Sequence, residues 1–566
     1  MTQPGSTPLT DSLSRRAPRR FWGWGNADAA LSPREHATLE GMLARIDAPL
    51  QDRPVPQTSE FTLPTPRVTP PSALASQFSA TPLDRLNHSG GKSFADCARM
   101  WLRQAPTPPD WVAFPEDEQA VIDILDWAQA RNVAVIPYGG GSSVCGGVEA
   151  AVGDGYAGAV SMDMERLNRV LEVDPVSRAA RIQAGALGPE LEAQLKPHGL
   201  TLRHFPQSFE FSTLGGWIVT RAGGHYATQQ THIDDFVESI RMVTPRGVMQ
   251  SRRLPGSGAG PAPDRLVLGS EGTLGVLTEA WMRLQSPPRF RASASVKFND
   301  YFRAAECVRA LAQSGLGPTN CRLLDPQGTV FAGVGDGSAA ILVLGFESSD
   351  HPLQAWMTRA LELVSDHGGA FDADAVARSM AASDSTEHRS GAAGAWRDAF
   401  VRMPYWRDPA VGVGVIMDTF ETAITWDRFA DFYSGIKADM ARAIKRATGQ
   451  VVELSCRLTH VYPDGPAPYF TFATRAADGS VASALAAWRD IKLAANAAVV
   501  AHGGTITHHH AVGRDHRSGY EREIDPLFTQ MLAAAKHAVD PHAILNPGVL
   551  FDPVDRPMGV TGTLAP

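Results

Sequence analysis

An α+β fold made of several units is what this chain predicts, and three observations carry the prediction. From about 106 to 285 short apolar runs alternate with glycines and turns, the pattern of many short strands. Within that stretch Val121, Ile124, Leu125 and Ala128 recur at helical spacing just before the strand-like run Val133-Ala134-Val135-Ile136, so helix and strand are mixed. Between about 290 and 500 runs such as 340–346 alternate with longer alanine-rich helical patterns, as in a second α/β or α+β unit. The expected division is 1–105, 106–285, 286–500 and 501–566.

Taken in order, the first 105 residues hold many prolines, among them Pro54, Pro56, Pro64, Pro66, Pro70 and Pro71, which exclude long helices between 51 and 72. A helix is expected near 33 to 46. The segment Trp22-Gly23-Trp24-Gly25, preceded by Arg15, Arg16, Arg19 and Arg20, is basic and aromatic. That composition suits peripheral contact with a membrane surface, but an arm packed on the body is the favoured reading. Next, Pro115 followed by Glu116, Asp117 and Glu118 reads as a helix start, and Asn132 as its end. A helix after Pro189 is stopped by Pro197 and Gly199, and 253–264, mostly Pro, Gly, Ala and Ser, reads as a flexible surface loop. Near the end a helix over about 526 to 538 stops at Asp540-Pro541, and Ile544-Leu545-Asn546-Pro547-Gly548 reads as a turn docked on the body.

Bulk properties narrow the function. A net charge of -8 with interspersed signs argues against nucleic-acid binding. Five scattered cysteines, Cys97, Cys145, Cys307, Cys321 and Cys456, make neither a disulfide framework nor a zinc motif, and point to a reducing, cytoplasmic compartment. No apolar run approaches the ~18 residues that span a bilayer, and no hydrophobic leader opens the chain, so a soluble protein is expected.

The chemistry begins at Pro137-Tyr138-Gly139-Gly140-Gly141-Ser142-Ser143. A strand running into three glycines exposes successive backbone N–H groups with two hydroxyls beside them, a cradle for phosphate or pyrophosphate. The loop ends a helix-to-strand unit, the opposite polarity to a GxGxxG site, so a dinucleotide held in another kind of fold is expected. Three more segments accompany it: Gln207-Ser208-Phe209-Glu210-Phe211-Ser212-Thr213-Leu214-Gly215-Gly216-Trp217, Thr220-Arg221-Ala222-Gly223-Gly224, and Gly269-Ser270-Glu271-Gly272-Thr273-Leu274-Gly275-Val276-Leu277. In order and spacing the four resemble the FAD-binding domain of the vanillyl-alcohol oxidase and p-cresol methylhydroxylase (PCMH) superfamily. The resemblance implies a PCMH-type domain of two α+β subdomains, an α/β cap or substrate domain, and helical N- and C-terminal segments. It also implies FAD gripped by these segments. Cys145 has no histidine beside it and reads as a small buried residue, so the FAD is expected to be non-covalent.

Within that superfamily the chain is similar to the alkyldihydroxyacetonephosphate synthase family over most of its length. The likeness is carried by Trp22 to Gly25, Cys321-Arg322-Leu323-Leu324-Asp325, Tyr405-Trp406-Arg407-Asp408, Asp418-Thr419-Phe420-Glu421-Thr422, Thr459-His460-Val461-Tyr462, Tyr469-Phe470-Thr471-Phe472 and the run 503–513 with His508-His509-His510. The resemblance implies that acyl-dihydroxyacetone phosphate exchanges its acyl chain for a long-chain fatty alcohol, through an adduct at flavin N5 with no net redox change. It implies Tyr469 and His508 to His510 as catalytic, and Arg322 and Arg407 as substrate-binding; a homodimer is also expected. An arginine fork suits a phosphate, although pairing with Asp325 or Asp408 would explain the same residues. Tyr469 can move a proton only if neighbours such as a histidinium lower its pKa. In an ordered strand His508 and His510 would face one side and His509 the other, which makes metal binding the weakest reading of the triplet.

There are departures. Ala511 stands where the family has glycine, Pro466 and Pro468 precede Tyr469, and no peroxisomal signal is seen. The lining of a tunnel for two fatty chains is expected between about 395 and 430. The competing readings are an FAD-dependent oxidoreductase of a 2-hydroxy acid or alcohol, and a flavin- or lipid-binding protein without catalysis.

Overall fold

Residues 16–381, 391–552 and 564 are described by the computed structural model, those of 391–401 by their backbone alone. Among the described residues three sheets organise the chain. The first contains β1 (Phe78–Ser79), β2 (Trp111–Ala113), β3 (Val133–Tyr138) and β4 (Gly158–Asp163) in the order β1-β2-β4-β3. β2, β4 and β3 run parallel, so the chain must cross over between strands, and the helix Glu118–Arg131 makes one crossover. Its N-cap is Asp117, whose carboxylate accepts from Ala120 N, so Pro115 lies outside the helix rather than in its first turn. Asn132 closes it in the left-handed conformation at φ 54°. β1 comes from the proline-rich lead-in, which therefore supplies the edge of this sheet.

The second sheet holds β5 (Val170–Asp174), β6 (Ala179–Gln183), β7 (Val237–Thr244), β8 (Gly247–Gln250) and β9 (Val276–Arg283), all antiparallel, in the order β5-β6-β9-β7-β8. A core around Trp217, Phe236, Ile240 and Met282 fills one face. The stretch expected as a surface loop at 253–264 is a loop only up to Ala262, because Pro263 starts the short helix Pro263–Val267.

The third sheet is the largest: β10 (Phe290–Phe298), β11 (Asn320–Leu324), β12 (Ala340–Ser348), β13 (Ala370–Phe371), β14 (Val415–Glu421), β15 (Ser455–Val461) and β16 (Pro466–Arg475), ordered β13-β10-β12-β11-β15-β16-β14. Every neighbouring pair is antiparallel, so the cap takes the α+β rather than the α/β layout. Helices Tyr301–Gln313, Phe429–Thr448 and Val481–Ala501 cover one face over a core that includes Phe298, Phe432, Phe470 and Trp488. On its other face Leu324, Ile341 and Val343 pack beneath the short helix Pro326–Phe331, and the part beyond that helix borders the cleft.

Both ends of the chain tie the units together. Arg19 donates to the carbonyls of Gly140 and Phe211, and Trp24 N donates to Asp408 at 2.7 Å, so the basic aromatic segment is an arm packed on the body and its rings are not free for a membrane. At the other end Val135 N donates to Ile544 O at 2.8 Å and Asn546 N to Val135 O at 2.9 Å, docking the tail against β3. All five cysteines are free and buried. No described helix is long and apolar enough to cross a membrane.

Candidate active site

A cleft of about 330 Å³ opens between the glycine loops of the first two sheets and part of one face of the third. β3 delivers the first loop, and its close packing explains the glycines. A Cβ on Gly140 would lie 1.7 Å from Phe211 O, so only glycine lets the second loop pass at that distance. Ser143 Oγ accepts from Gly147 N at 3.0 Å and holds its own loop closed. Thr213 caps the helix Leu214–Thr220 through Gly216 N. Buried Glu271, raised by that burial to about 7, accepts from Val512 N and Gly513 N at 2.8 Å each and pins the segment after the histidines.

Of the residues expected to hold the cofactor, Pro137 to Ser143, Gln207, Ser208, Ser212, Thr213, Gly216, Thr220, Ala222, Gly223, Glu271, Gly272, Gly275, Val276 and Leu277 line the cleft. Six do not, because each has a different partner. Phe209 stacks on Trp217, Glu210 accepts from Tyr405 Oη at 3.3 Å, and Phe211 packs edge-on to Trp24. Arg221 pairs with Asp234 at 2.8 Å, Thr273 Oγ1 donates to Ser270 O, and Leu274 belongs to the core of the second sheet.

The opposite wall is written across the third sheet in register. Leu324 on β11 pairs with Arg457 on β15, Arg457 with Tyr469 on β16, and Tyr469 with Glu421 on β14. Alternation then puts Arg322, two residues before Leu324, on the same face. Burial and the charge of Arg457 lower Arg322 to about 10, as expected for two cations brought close together. Arg407 approaches from the helix Gly391–Gly412; its Nη2 meets Cys97 Sγ at 3.4 Å, and its Nε is buried without a hydrogen-bond partner. Of the carboxylates that could have explained these arginines, Asp325 is engaged by Tyr433 and Lys437, whereas Asp408 accepts from Trp24 N and its charge also acts on Arg407. Five basic side chains, Lys92, Arg322, Arg407, Arg457 and Lys492, line the cleft against two carboxylates, Glu271 and Asp418. Such a cavity favours anionic ligands.

Tyr469 Oη donates to Thr419 Oγ1 at 3.0 Å, and the Arg457 guanidinium lies 3.9 Å from the centre of its ring. Burial raises the phenol's pKa although Arg457 opposes it, so the lowering expected from a histidinium is corrected: this tyrosine is held protonated. The imidazoles agree, since burial lowers His510 to about 3 and His508 well below its ordinary value.

The histidine triplet is not the strand that its glycines and apolar flanks suggest. It is a bent loop wound on the buried Glu421 carboxylate, which accepts from His508 N at 2.8 Å, His510 N at 3.0 Å and His509 N at 3.2 Å. Three amides converging on one carboxylate cannot come from a regular strand. The consequence is a different division of the rings: His509 and His510 line the cleft, whereas His508 turns out of it toward Tyr462 and His232. His460, His508 and His509 each bring a ring nitrogen within 4.8 Å of the others, but those of His460 meet Gly224 O and Thr459 Oγ1. Cys145 is buried, with its thiol donating to His510 O.

Sequence reasoning did not single out Arg457, Lys92, Lys492 or Glu421 as site residues. For Arg457 and Glu421 a signal existed, a charge at a position where a strand alternates toward its partners; for the lysines, none.

Two family descriptions match the chain: the FAD binding domain over residues 109–251, and the C-terminal domain of FAD linked oxidases over residues 287–550. The cleft lies between the residues of the two, and its glycine-lined, basic interior fits a dinucleotide phosphate. A Caenorhabditis elegans alkyldihydroxyacetonephosphate synthase is 30% identical over 495 residues, 84% of this chain and 81% of that protein. The Dictyostelium discoideum synthase is 28% identical over 504 residues, 84% of this chain and 79% of its own. A solved alkyldihydroxyacetonephosphate synthase superposes with a TM-score of 0.76 at 26% identity, covering 94% of this chain and 98% of the other. With that identity sustained over most of both sequences, the chain belongs to the alkyldihydroxyacetonephosphate synthase family.

Proposed function

We propose that this protein is an FAD-dependent alkyldihydroxyacetonephosphate synthase, which replaces the acyl chain of acyl-dihydroxyacetone phosphate with a long-chain fatty alcohol and releases a fatty acid. The observation that carries the reading is the single cleft in which the glycine loops face the basic row of Arg322 and Arg457 beside Tyr469. In this reading the loops from Pro137 to Ser143, Gln207 to Thr213 and Glu271 to Leu277 hold FAD without a covalent bond. FAD there supplies a reversible nucleophilic centre, so the exchange needs no net oxidation.

The chain's own residues supply the rest. Arg322, Arg407 and Arg457 bind the phosphate, with planar guanidinium groups suited to its oxygens. Tyr469, held protonated, turns its O–H from Thr419 to the substrate as a hydrogen-bond donor. His509, a neighbour of its ring, takes up a proton on the same side of the cleft, while His510 stays neutral beside it. Met403, Pro404 and Met417 border the cleft and offer apolar surface to the fatty chains; 395–401 of the segment expected to line a tunnel lie outside the described side chains. The reading also takes the protein as a cytoplasmic homodimer touching lipid surfaces peripherally. Leu527, Phe528 and Met531, exposed together on the helix Pro526–Val539, support the last point.

Incubation with acyl-dihydroxyacetone phosphate and labelled hexadecanol tests the proposal. Labelled ether and an equal amount of free fatty acid are expected. Flavin bleaching by a 2-hydroxy acid, with no ether formed, would replace it with the oxidoreductase reading.

A further inference from the structure

We propose that His508, Tyr462 and Thr231 carry a proton from the cleft to the surface once per turnover, an inference that rests on the synthase reading. The exchange breaks the bond between the substrate carbon and the carboxylate oxygen and forms a bond from that carbon to the alcohol oxygen. The alcohol loses its O–H proton and the acyl group leaves as a carboxylate, so at neutral pH one proton is released and no electrons are transferred. Here that proton is set free beside histidines buried in the cleft wall, and it needs a way out.

A file of hydrogen bonds begins at that place. His509 lines the cleft with its ring 6.0 Å from that of Tyr469. Its Nδ1 lies 3.1 Å from Nδ1 of His508, whose Nε2 lies 2.7 Å from Tyr462 Oη. Tyr462 Oη in turn lies 3.0 Å from Thr231 Oγ1 and 3.4 Å from His232 Nδ1. His232 Nε2 faces the carbonyl of His508 at 3.0 Å, which fixes that nitrogen as the donor and leaves Nδ1 as an acceptor. Thr231 is buried, whereas Tyr462 and His232 are half-buried and sit beside the exposed Pro463 and Gln230, so the file meets water at Tyr462 and His232.

Every member can accept a proton on one side and give one up on the other: a neutral imidazole through its two nitrogens, a hydroxyl through its oxygen. A proton taken up at His509 can therefore be passed along while the next groups exchange the protons they already hold. His508 suits this task and little else in the site, because its ring is turned out of the cleft and contacts Tyr462, His232 and His460. Tyr462 and Thr231 do not themselves line the cleft and are relay residues, not catalytic ones.

The test is the holoenzyme variant Tyr462→Phe, which keeps the ring and removes the relaying hydroxyl. The expected result is a kcat lower by roughly tenfold with an unchanged KM for acyl-dihydroxyacetone phosphate, and a larger solvent deuterium isotope effect on kcat. The bound-flavin absorbance should match that of the wild type. A variant with the wild-type kcat and isotope effect overturns the relay while leaving the synthase reading intact. A wild type that forms no ether overturns both. Should the variant lose its flavin, the rate of the wild type in mixtures of H2O and D2O decides: a bowed dependence, from several protons in flight, supports the relay, and a straight line overturns it.

Discussion

Arg457 is the residue on which the chemistry of the cleft turns, because one guanidinium serves two neighbours. It adds its charge to that of Arg322 and lies over the ring of Tyr469. A cation in that position stabilises a phosphate oxygen and, through the ring face, the tyrosine. Arg457→Ala is expected to raise KM for acyl-dihydroxyacetone phosphate by roughly tenfold to a hundredfold, since a charged hydrogen bond contributes about 1.5–3 kcal/mol. Arg457→Lys should recover little of it, because an ammonium has neither the fork nor the planar face. Steady-state kinetics on both variants checks this. Ala511 poses a smaller question: it adopts φ 71°, which accounts for the glycine usual in the family at that place and makes alanine a mildly strained choice here.

At the scale of the element, the cleft depends on loops that touch each other as closely as they touch any ligand. The first glycine loop and the loop ending at Thr213 meet backbone to backbone at Gly140, and Arg19 of the N-terminal arm is bonded across the join. Gly140→Ala is therefore expected to force the two apart, costing about 1–3 kcal/mol as overpacking does, and to release FAD. Flavin fluorescence after gel filtration, together with a thermal midpoint, reads both effects. Much at this scale was legible beforehand. The helix closed by Asn132, the strand into the triple glycine, the helix stopped at Gly199 and the final helix before Asp540-Pro541 all follow from local rules about caps, prolines and apolar spacing. The histidine segment did not follow them. Its shape is imposed by Glu421, a carboxylate 87 residues upstream of His508, and no local pattern reports a partner that distant.

For the whole molecule, buried ionisable groups set a pH dependence whose sign can be worked out. Burial lowers His204, His510 and His516 to about 3, and His225, His460 and His508 well below the ordinary 6.5. These six stay neutral in the fold while the unfolded chain takes up protons. The stability they lend is therefore complete above pH 6.5 and lost as pH falls through and below that value. Burial acts in the opposite sense on Glu149 and Glu271, raised to about 7, and Asp408, raised to about 6. Their contribution grows as pH falls through 7 and is complete once the unfolded carboxyls, at 4.5 and 3.8, protonate too. The two sets partly cancel between pH 7 and about 4.5; below that the histidines, each at roughly 1.4 kcal/mol per pH unit, are joined by carboxylates held low in the fold, such as Glu35 and Glu421, whose stability is also lost on acidification. The thermal midpoint should thus decline from about pH 6.5 to 4.5 and more steeply beneath it. A midpoint that rises on acidification would refute the assignment.

By itself the sequence determined the mixture of helix and strand, the positions of the glycine loops and the kinship they carry, because these depend on residues close together in the chain or on motifs whose order survives at low identity. The tertiary structure decided which of those residues share a cavity. It turned Phe209, Glu210, Phe211, Arg221, Thr273 and Leu274 away, brought Arg457, Lys92 and Lys492 in, and sent His508 outward while His509 and His510 faced the cleft. The reason is that side-chain packing, charge pairing and strand register, some within one loop and some between distant segments, have outcomes that are fixed only when the sheets meet.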